Sequence, residues 1–545
     1  MRRWKPTFLI RLTTGLLLAA AYPAQAGSVG DYARVDDAGG WNPDVAFDPD
    51  HGLYLVVWTG PEMTRGRFIH RDGQPLGDTF DIHDGVGGAR FPAVAFSPAH
   101  GEFLVTWDGY DRPGQPDTIF GQRVRSPDGA LVGSNFRIMT SASIRSQVAW
   151  GSVSQCYMVV SGYGAIVAQR VSGSGMLLGS QINVSVGWMP GVSYSPGADA
   201  FLVSWDHESP PDIPGIGAKR YAAASGAPLE DTFAVSPTVA DRSHSTHDAA
   251  LGRWLVQYQD HTFGYDQYVR FINDDGTPGS GPLPAADTPA FEGETHAGCD
   301  IAFSSGAGAY LSVFGMNEGI FGQILDRNGT RRRSRITLGT GEFTFHSNAA
   351  DPTRDRFLTV WSGSPVAGGA WYVYYRFYDL YTPVTGLSAT PEPRRIRLTW
   401  NQPADTDMTH VMIRFSTAGT PANTDEGSLA ARLAVTPGTS GSFIHAGLDR
   451  TQTYHYAVFA YDGILPAWSV GVSVNASPGL AGDMDADGDV DQSDFGWLQV
   501  CLSGSGQPYP PSCAIADLEG DGDVDQGDLD IFRACMGGAN QPPGC

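Results

Sequence analysis

Short apolar runs that end in a large or aromatic residue recur along the first two thirds of the chain. The clearest copies read NPDVAFDPDHGLYLVVW, FPAVAFSPAHGEFLVTW, RSQVAWGSVSQCYMVVS and MPGVSYSPGADAFLVSW. Seven copies follow one another about fifty residues apart, with ends at Trp58, Trp107, Ser161, Trp205, Tyr258, Phe314 and Trp361. A strand, a tight turn and a last strand follow each run, as in IFGQRVRSPDGALVGSNFRI. Each copy therefore predicts four short strands.

Four strands repeated seven times at this period are typical of a β-propeller, and stacked solenoid repeats are the alternative. The seventh copy stops at Asp379 without its last strand, whereas the segment SVGDYARVDD near the N-terminus resembles the missing piece, as in PLGDTFDIHD. A solenoid needs no such exchange. We therefore predict a mainly β chain whose residues 27–382 form a seven-bladed propeller closed by its N-terminal strand. The repeats resemble those of uncharacterised secreted bacterial proteins, a likeness that implies no chemistry.

Alignment of the copies places one column of small residues on the first strand, where a propeller is most crowded. Two positions earlier, on the same face of the strand, the column is polar and varied: Asp44, Ala93, Gln147, Gly191, His244, Asp300 and Ser347. We expect this column near the channel mouth, with Asp44, Gln147, His244 and Asp300 as candidate ligand-binding residues. The polar loops after the second strands should open on the same face and form an acidic, aromatic-edged surface. A solvated loop set without a ligand is the alternative.

Residues 383–478 have a different pattern. The stretches RIRLTWNQPADTDMTHVMIRF and TYHYAVFAYDG resemble a fibronectin type III domain, with Trp400 as the core residue of the second strand and Tyr454 and Tyr456 in the sixth. The absence of a Cys pair agrees with this family and argues against an antibody-type domain. The resemblance implies a β-sandwich that acts as a spacer.

Residues 479–545 contain two similar acidic stretches, DMDADGDVDQSD from Asp483 and DLEGDGDVDQGD from Asp517. Acids occupy positions 1, 3, 5, 7, 9 and 12 of each, and a Gly occupies position 6. Calcium loops of twelve residues draw oxygen ligands from these positions, with a backbone carbonyl at 7 and a water held by 9. The spacing predicts two Ca²⁺ ions, and a disordered acidic tail is the alternative. The expected ligands are Asp483, Asp485, Asp487, Asp489, Asp491 and Asp494 in loop one, and Asp517, Glu519, Asp521, Asp523, Asp525 and Asp528 in loop two.

A helix is predicted after each loop but not before the first, because SPGLAG precedes Asp483. In this respect the tail resembles a type I dockerin. The resemblance implies a small α-helical domain, a cohesin-type partner and membership of extracellular polysaccharide-degrading machinery. The residues at positions 10 and 11, Gln492–Ser493 and Gln526–Gly527, and Glu519 at position 3, depart from the family pattern. We also expect Val490 and Val524, at position 8, to pair the loops through a short strand contact.

Four of the six cysteines lie in the tail, at Cys501, Cys513, Cys535 and Cys545. Four cysteines allow three connectivities. Because the tail is an internal duplication, we favour Cys501–Cys513 and Cys535–Cys545. The other two, Cys156 and Cys299, are expected to be free and buried.

The basic start MRRWK, a short apolar run and AQA before Gly27 predict a signal peptide over residues 1–26. No segment is long and apolar enough to span a bilayer. The protein is therefore expected to be secreted, or held at the cell surface through a partner. The net charge of −23, without a basic stretch, argues against nucleic acid as a partner.

Three functions are compatible with this organisation. The first is a secreted assembly protein whose tail docks by calcium while its propeller binds a ligand, with polysaccharide as the expected class. The second is that the propeller is itself a glycoside hydrolase or polysaccharide lyase, with Asp44 and Asp300 as candidate carboxyls. The third is a structural surface protein.

Overall fold

The computed structural model describes residues 28–545 except 62, 84–87, 111–115, 141–143, 208–214, 263–265, 287–297, 317–318, 367, 393, 405–407, 450, 464–466, 486 and 542. The predicted signal peptide lies outside the described residues, as do large parts of the loops that follow Trp107 and Trp205. What is described is mainly antiparallel β-sheet.

The first 26 strands form seven four-stranded units. Strand β1 is Ser28–Arg34. Blade one contains β2 (Trp41–Asp48), β3 (Leu53–Thr59), β4 (Thr64–His70) and β5 (Pro75–Asp81). Blade two contains β6 (Arg90–Ser97), β7 (Glu102–Gly109), β8 (Thr118–Arg125) and β9 (Leu131–Arg137). Blades three and four share β10 (Ser146–Gly151), β11 (Cys156–Ser172), β12 (Leu177–Ser195), β13 (Ala200–His207), β14 (Gly215–Ala222) and β15 (Phe233–Ala234).

The remaining blades follow the same order. Blade five contains β16 (Ala240–Asp248), β17 (Arg253–Asp260), β18 (Asp266–Asn273) and β19 (Leu283–Pro284). Blade six contains β20 (Cys299–Ser304), β21 (Ala309–Met316), β22 (Gly319–Asp326) and β23 (Arg331–Thr340). Blade seven contains β24 (Glu342–Asp351), β25 (Arg356–Ser364) and β26 (Tyr372–Asp379), completed by β1.

Blades three and four form one six-stranded sheet because β11 and β12 continue through positions where other blades have loops. The first half of β11 pairs with β10 and its second half with β12. The second half of β12 pairs with β13 and is the innermost strand of blade four. Each half of the sheet therefore still supplies four strand segments, as the repeat predicts.

The blades close into a ring. The innermost strands contact one another in the order β2, β6, β10, β12, β16, β20, β24 and back to β2. Strand β1 pairs antiparallel with β26, with Ser28 opposite Tyr378 and Arg34 opposite Tyr374. The N-terminal strand thus completes blade seven, as the incomplete seventh repeat predicted, and the solenoid alternative is excluded.

The aromatic ends of the second strands pack between blades. Trp58 shares a buried cluster with Tyr375 of blade seven, and Trp107 shares one with Leu55 of blade one. Similar buried clusters join each of the five remaining pairs of neighbouring blades. Each blade therefore has two apolar faces, and a single blade would leave both exposed to solvent. In the closed ring, the neighbouring blades bury these faces.

A two-sheet sandwich follows the propeller. Its strands are β27 (Thr385–Glu392), β28 (Arg395–Asn401), β29 (Met408–Ser416), β30 (Ser428–Ala434), β31 (Ser440–His445), β32 (Tyr454–Asp462), β33 (Ala467–Trp468) and β34 (Val472–Ala476). One sheet has the order β27-β28-β31, and the other has β30-β29-β32-β33 with β34 also on β32. Trp400 lies in the core on the second strand, β28, as the sequence predicted, and Tyr454 and Tyr456 lie on the sixth, β32, where they are also buried.

The tail contains helix α1 (Gln492–Cys501), a 3₁₀ turn (Pro511–Cys513) and helix α2 (Gln526–Cys535). Each helix begins with a capping box. Asp491 and Asp525 accept from N–H groups of the first turn, and Asp494 and Asp528 accept from the backbone N–H of those caps. No helix within the described residues is long and apolar enough to cross a membrane.

Candidate functional site

A residue with left-handed backbone stands two positions before each member of the polar column, at or close to where each innermost strand segment starts. Six of these residues are not glycine, and the seventh is Gly298 with φ of 85°. Their φ angles range from 26° at Phe345 to 58° at Arg145. Such angles cost energy for residues with a Cβ. The six residues are Asn42, Phe91, Arg145, Met189, Arg242 and Phe345.

These residues and four members of the polar column line one pocket at the mouth of the channel, the four being Asp44, Gln147, His244 and Ser347. Its volume is about 130 Å³, and all seven innermost strands contribute to it. Three of the four candidate ligand-binding residues, Asp44, Gln147 and His244, line this pocket. The fourth, Asp300, is not part of the lining and lies buried against His244.

Asp44 ties three blades together. Its Oδ1 accepts from Ser347 Oγ of blade seven at 2.6 Å and its Oδ2 accepts from the Val94 N–H of blade two at 2.8 Å. Burial raises the pKa of Asp44 to about 6, and these hydrogen bonds oppose that shift. The carboxylate is therefore already bound by protein groups.

A histidine–aspartate pair lies beside it. His244 Nδ1 is 3.0 Å from Asp300 Oδ1, which also accepts from the Ile301 N–H at 2.8 Å. Although burial opposes both shifts, this pairing raises the pKa of His244 and lowers that of Asp300. Burial lowers the pKa of the neighbouring His346 to about 4, so this imidazole is neutral at pH 7.

Arg145 projects across the mouth between two aromatic rings. Its guanidinium carbon lies 4.4 Å from the centre of the Phe91 ring and 5.1 Å from that of Phe345. Nη1 is 3.8 Å from the Met189 sulfur. Burial and the nearby Arg242 lower the pKa of Arg145.

Sequence reasoning missed this inner ring of Phe91, Arg145, Arg242 and Phe345. The sequence did contain a signal for it. In the alignment of the seven copies, large side chains occur two positions before Asp44 and before the other members of the polar column. The acidic surface expected from the loops lies largely outside the described residues.

In the tail, the two acidic stretches close by the same hydrogen bonds. Asp483 at position 1 accepts from the N–H of Asp487 at 3.1 Å and of Gly488 at 3.1 Å. Asp517 accepts from Asp521 and Gly522 at 3.2 Å each. The Gly residues at position 6 have φ of 96° and 98°. A left-handed residue is thus required there in both copies.

The position-12 carboxylates are fully buried and lie next to other acids. Asp494 Oδ1 accepts from the Met484 N–H at 2.6 Å, and Asp528 Oδ1 accepts from the Leu518 N–H at 2.5 Å. In each loop three carboxylates have oxygen atoms within 4.8 Å of one another. These sets include Asp483, Asp485 and Asp494 in loop one, and Glu519, Asp525 and Asp528 in loop two. Such all-oxygen sets suit a hard cation.

Two departures of loop two from the dockerin pattern are spatially coupled. A Cβ built at Gly527, position 11, would lie 1.8 Å from Oε1 of Glu519 at position 3. Loop one has the shorter Asp485 at position 3 and Ser493 at position 11. The missing side chain at Gly527 therefore provides the space that the longer acid occupies.

Disulfides close both halves of the tail, Cys501–Cys513 and Cys535–Cys545. The Val490–Val524 contact is not among the strand bridges of the described residues. The carbonyl of Val490 instead accepts from Gly537 and Gly538 after α2, and that of Val524 from Ser503 and Gly504 after α1. Each loop is thus joined to the end of the other copy's helix rather than to the other loop.

Comparison with known proteins gives no family for this chain. No protein-family model matches it, and no curated protein matches it. Among solved structures, the β-propeller domain of Myceliophteria thermophila Cps50 (Swd1) aligns with a TM-score of 0.42 and 8% identity, covering 64% of this chain and 99% of that one. A chain from the mitotic checkpoint complex aligns with a TM-score of 0.44 and 13% identity, covering 68% and 99%. The assignment of blades rests on the sheet topology given above.

Proposed function

We propose that this is a secreted, multidomain binding protein of extracellular polysaccharide degradation. Its dockerin-like tail binds two Ca²⁺ ions and docks to a cohesin-type partner, its fibronectin type III-like sandwich is a spacer, and its propeller binds a polysaccharide. The observation that carries the proposal is the repeated closure of the two acidic loops. Both copies use the same positions for the same hydrogen bonds.

The chemistry of the loops fits calcium. Ca²⁺ takes six to eight oxygen ligands. Asp483, Asp485, Asp487 and Asp494 would hold one ion, with the Asp489 carbonyl and a water held by Asp491. The equivalent residues would hold the second: Asp517, Glu519, Asp521 and Asp528, with the Asp523 carbonyl and a water held by Asp525. The coupled pair of Glu519 and Gly527 supports this assignment, because the space beside Gly527 is where the Glu519 carboxylate lies within 4.8 Å of those of Asp525 and Asp528.

Calcium is expected to stabilise the fold of the tail. From residue 481 onward there are thirteen acids and one base. Gathered carboxylates repel one another, whereas a bound cation converts the repulsion into coordination, so that its binding energy contributes to folding. Calorimetry on residues 479–545 should reveal two sites, and circular dichroism should show helix lost in a chelator. An unchanged helical spectrum in the chelator would mean that disulfides and packing suffice without the metal.

The face proposed for the partner is the outer side of α1. Trp497 and Val500 are exposed there by 52% and 81% of their surfaces. At the equivalent positions of α2 stand Ile531, which is half-buried, and the small Ala534. The two copies share their loops but not this apolar face. An exposed Trp next to a Val is the kind of anchor that protein interfaces bury, and a cohesin-type domain is the occupant that the dockerin-like tail implies.

A panel of cohesin-type domains tests this docking in calcium and in a chelator. At least one domain should bind in calcium only. Trp497→Ala and Val500→Ala should each weaken that binding tenfold or more. Arg533→Ala, on the exposed face of α2, is the control and should have little effect. Equal binding by the Trp497 variant and the parent would contradict the assigned face.

For the propeller, the pocket favours binding over glycosidase chemistry. A glycosidase needs two carboxyls that face the substrate. Asp44 accepts hydrogen bonds at both oxygens, and Asp300 is paired with His244 outside the pocket lining. The pocket is nevertheless framed by Phe91 and Phe345, whose rings suit the apolar face of a sugar. A glycan array with the propeller tests the proposal, and product analysis of each bound glycan tests the enzymatic alternative.

A further inference from the structure

The described lining of the channel-mouth pocket has a charge opposite in sign to the net charge of the chain. The whole protein has 58 acids, 35 bases and a net charge of −23. Among the described residues, by contrast, the pocket is lined by two arginines, Arg145 and Arg242, and one acid, Asp44. A cationic pocket at the axis of an acidic protein is a place where an anion is attracted and held.

Among the residues that the structure describes, no carboxylate forms a bidentate pair with Arg145 or Arg242. Within the described part of the chain, the direct contacts of the Arg145 guanidinium are with two aromatic rings and a sulfur atom. Arg242 Nε lies 4.0 Å from Asp241, whose other oxygen is 3.1 Å from His261 Nε2. Each guanidinium has five N–H donors, so the contacts of the described residues leave donors on both for a ligand.

The two arginines also act on each other. Both line the same pocket. Burial and then the charge of Arg242 lower the pKa of Arg145, while Asp108 opposes this shift. Both sit at left-handed backbone positions, with φ of 58° and 55°, on the innermost strands of blades three and five. A repeated and costly backbone geometry thus holds two repelling cations at one mouth, an arrangement that an anion between them would relieve.

We infer that the channel-mouth pocket binds the carboxylate of an acidic sugar residue, held by Arg145 and Arg242 beside the rings of Phe91 and Phe345. This deepens the proposed function and rests on it for the ligand being a polysaccharide. A planar carboxylate matches the fork of guanidinium donors. A volume of about 130 Å³ holds the edge of one sugar ring with its carboxylate, rather than several residues of a polymer. Because Asp44 also carries a negative charge, a ligand with one negative charge is favoured over a ligand with two.

Calorimetry of the full chain in calcium tests the inference with three glycans of equal length. These are an oligogalacturonide, its methyl ester and a neutral cello-oligosaccharide. The acid should bind, and the ester and the neutral glycan should bind at least about tenfold more weakly, because charged hydrogen bonds are lost. Arg145→Met, which keeps the apolar contact with the rings, and Arg242→Gln should each weaken binding of the acid by about tenfold or more.

Arg90→Gln is the matched control. Arg90 adjoins Phe91 at the same end of the blade but is paired with Asp117, so its loss should change affinity less than twofold. Melting temperatures of the variants near that of the parent would show that they fold.

The outcomes separate the two proposals. Equal affinity for the acid and its ester would overturn the carboxylate inference and leave polysaccharide binding in place. Binding of an oligoglutamate peptide as tight as that of the acid glycan would overturn the sugar assignment. If none of the three glycans and no array glycan binds, the proposed function of the propeller fails, and the inference fails with it.

Discussion

Replacing Gly527 by Ala separates the proposed metal role of loop two from its role in folding. The new Cβ would lie 1.8 Å from Oε1 of Glu519, 2.5 Å from Cδ and 2.8 Å from Oε2. Real Cβ atoms essentially never come closer than 3.0 Å to another heavy atom. The carboxylate must therefore move by more than about 1 Å, whereas ligand distances tolerate only about 0.2 Å. Since Glu519 ends a flexible side chain, it can swing away and the backbone need not change.

The variant is expected to have opposite effects with and without calcium. Gly527 is in the first turn of α2. There Ala favours helix over Gly by up to about 1 kcal/mol, so stability in a chelator should stay equal or rise. Calcium affinity of the second site should fall by at least about tenfold, or roughly 1.4 kcal/mol, because changes around a metal ligand typically cost ten- to hundredfold. The first site should be unaffected.

Two-site calorimetry on the full chain measures both affinities, and chemical denaturation in a chelator measures stability. Ser493→Ala, the equivalent position in loop one beside the shorter Asp485, is the control and should keep both sites. The double variant Glu519→Asp/Gly527→Ala recreates the pairing of loop one and should recover most of the lost affinity. Two sites of parental affinity in the Gly527 single variant would refute the proposed role of Glu519, and so would a double variant no better than the single one.

Three further predictions concern the propeller and its junction with the sandwich. A chain that starts at Gly40 lacks β1 and the buried Val35, exposes the edge of β26, and should melt several degrees lower and aggregate; an unchanged melting temperature would contradict the ring closure. Burial raises the pKa of Asp108 to about 7, so the folded state keeps a proton that the unfolded state releases above pH 4. As the pH rises from 4 to 7, the free energy of unfolding of the parent should therefore fall relative to that of Asp108→Asn by up to about 1.4 kcal/mol per pH unit. Urea denaturation measures this difference, and a difference that does not change with pH would show that this carboxyl does not titrate as stated. Arg333→Met breaks a buried ion pair with Asp462 of the sandwich and should cost about 3 kcal/mol by denaturation, and a loss below about 1 kcal/mol would show that this contact is no more than a surface pair.

The number of blades was predictable because each repeat carries its own strand pattern. The contact between neighbouring blades requires a buried second strand, and in six of the seven copies this strand ends in an aromatic residue; the third copy ends in Ser161. The exchange of the N-terminal strand was predictable for the same reason. The missing strand after Asp379 has a recognisable counterpart near Ser28.

The pocket was predictable only in part. Alternation in a strand places Asp44 and His244 on the channel face, but it assumes regular backbone. The left-handed residue before each of them shifts the register in most blades, as between Trp41 and Asp44, and brings its own side chain to the mouth. Arg145 stands two positions before Gln147, so alternation alone would place it on the same face of the strand. What the pattern does not reveal is the left-handed backbone at this position.

In the tail, the duplication identified the loops but not how they join. The spacing of acids is set within each copy, so the sequence contains it. The carbonyls of Val490 and Val524 are engaged by residues beyond the other copy's helix, and such contacts between copies depend on how the helices pack. The coupling of Glu519 with Gly527 was visible in the sequence as two departures, but their common cause appears only when the distance between them is known.

The direction of the strands places the pocket and the junction between propeller and sandwich at opposite ends of the blades. Strand β24 leaves the mouth at His346 and reaches the opposite end at Asp351, and the antiparallel partners bring β26 to that same end at Asp379. The sandwich is joined there, with Asp462 paired to Arg333 near the start of β23. A partner held by the tail is therefore tethered through the face opposite the mouth. Since Arg395 of the sandwich also bonds the Ala514 carbonyl of the tail, these contacts restrain the three domains, so docking and ligand binding need not compete for one surface.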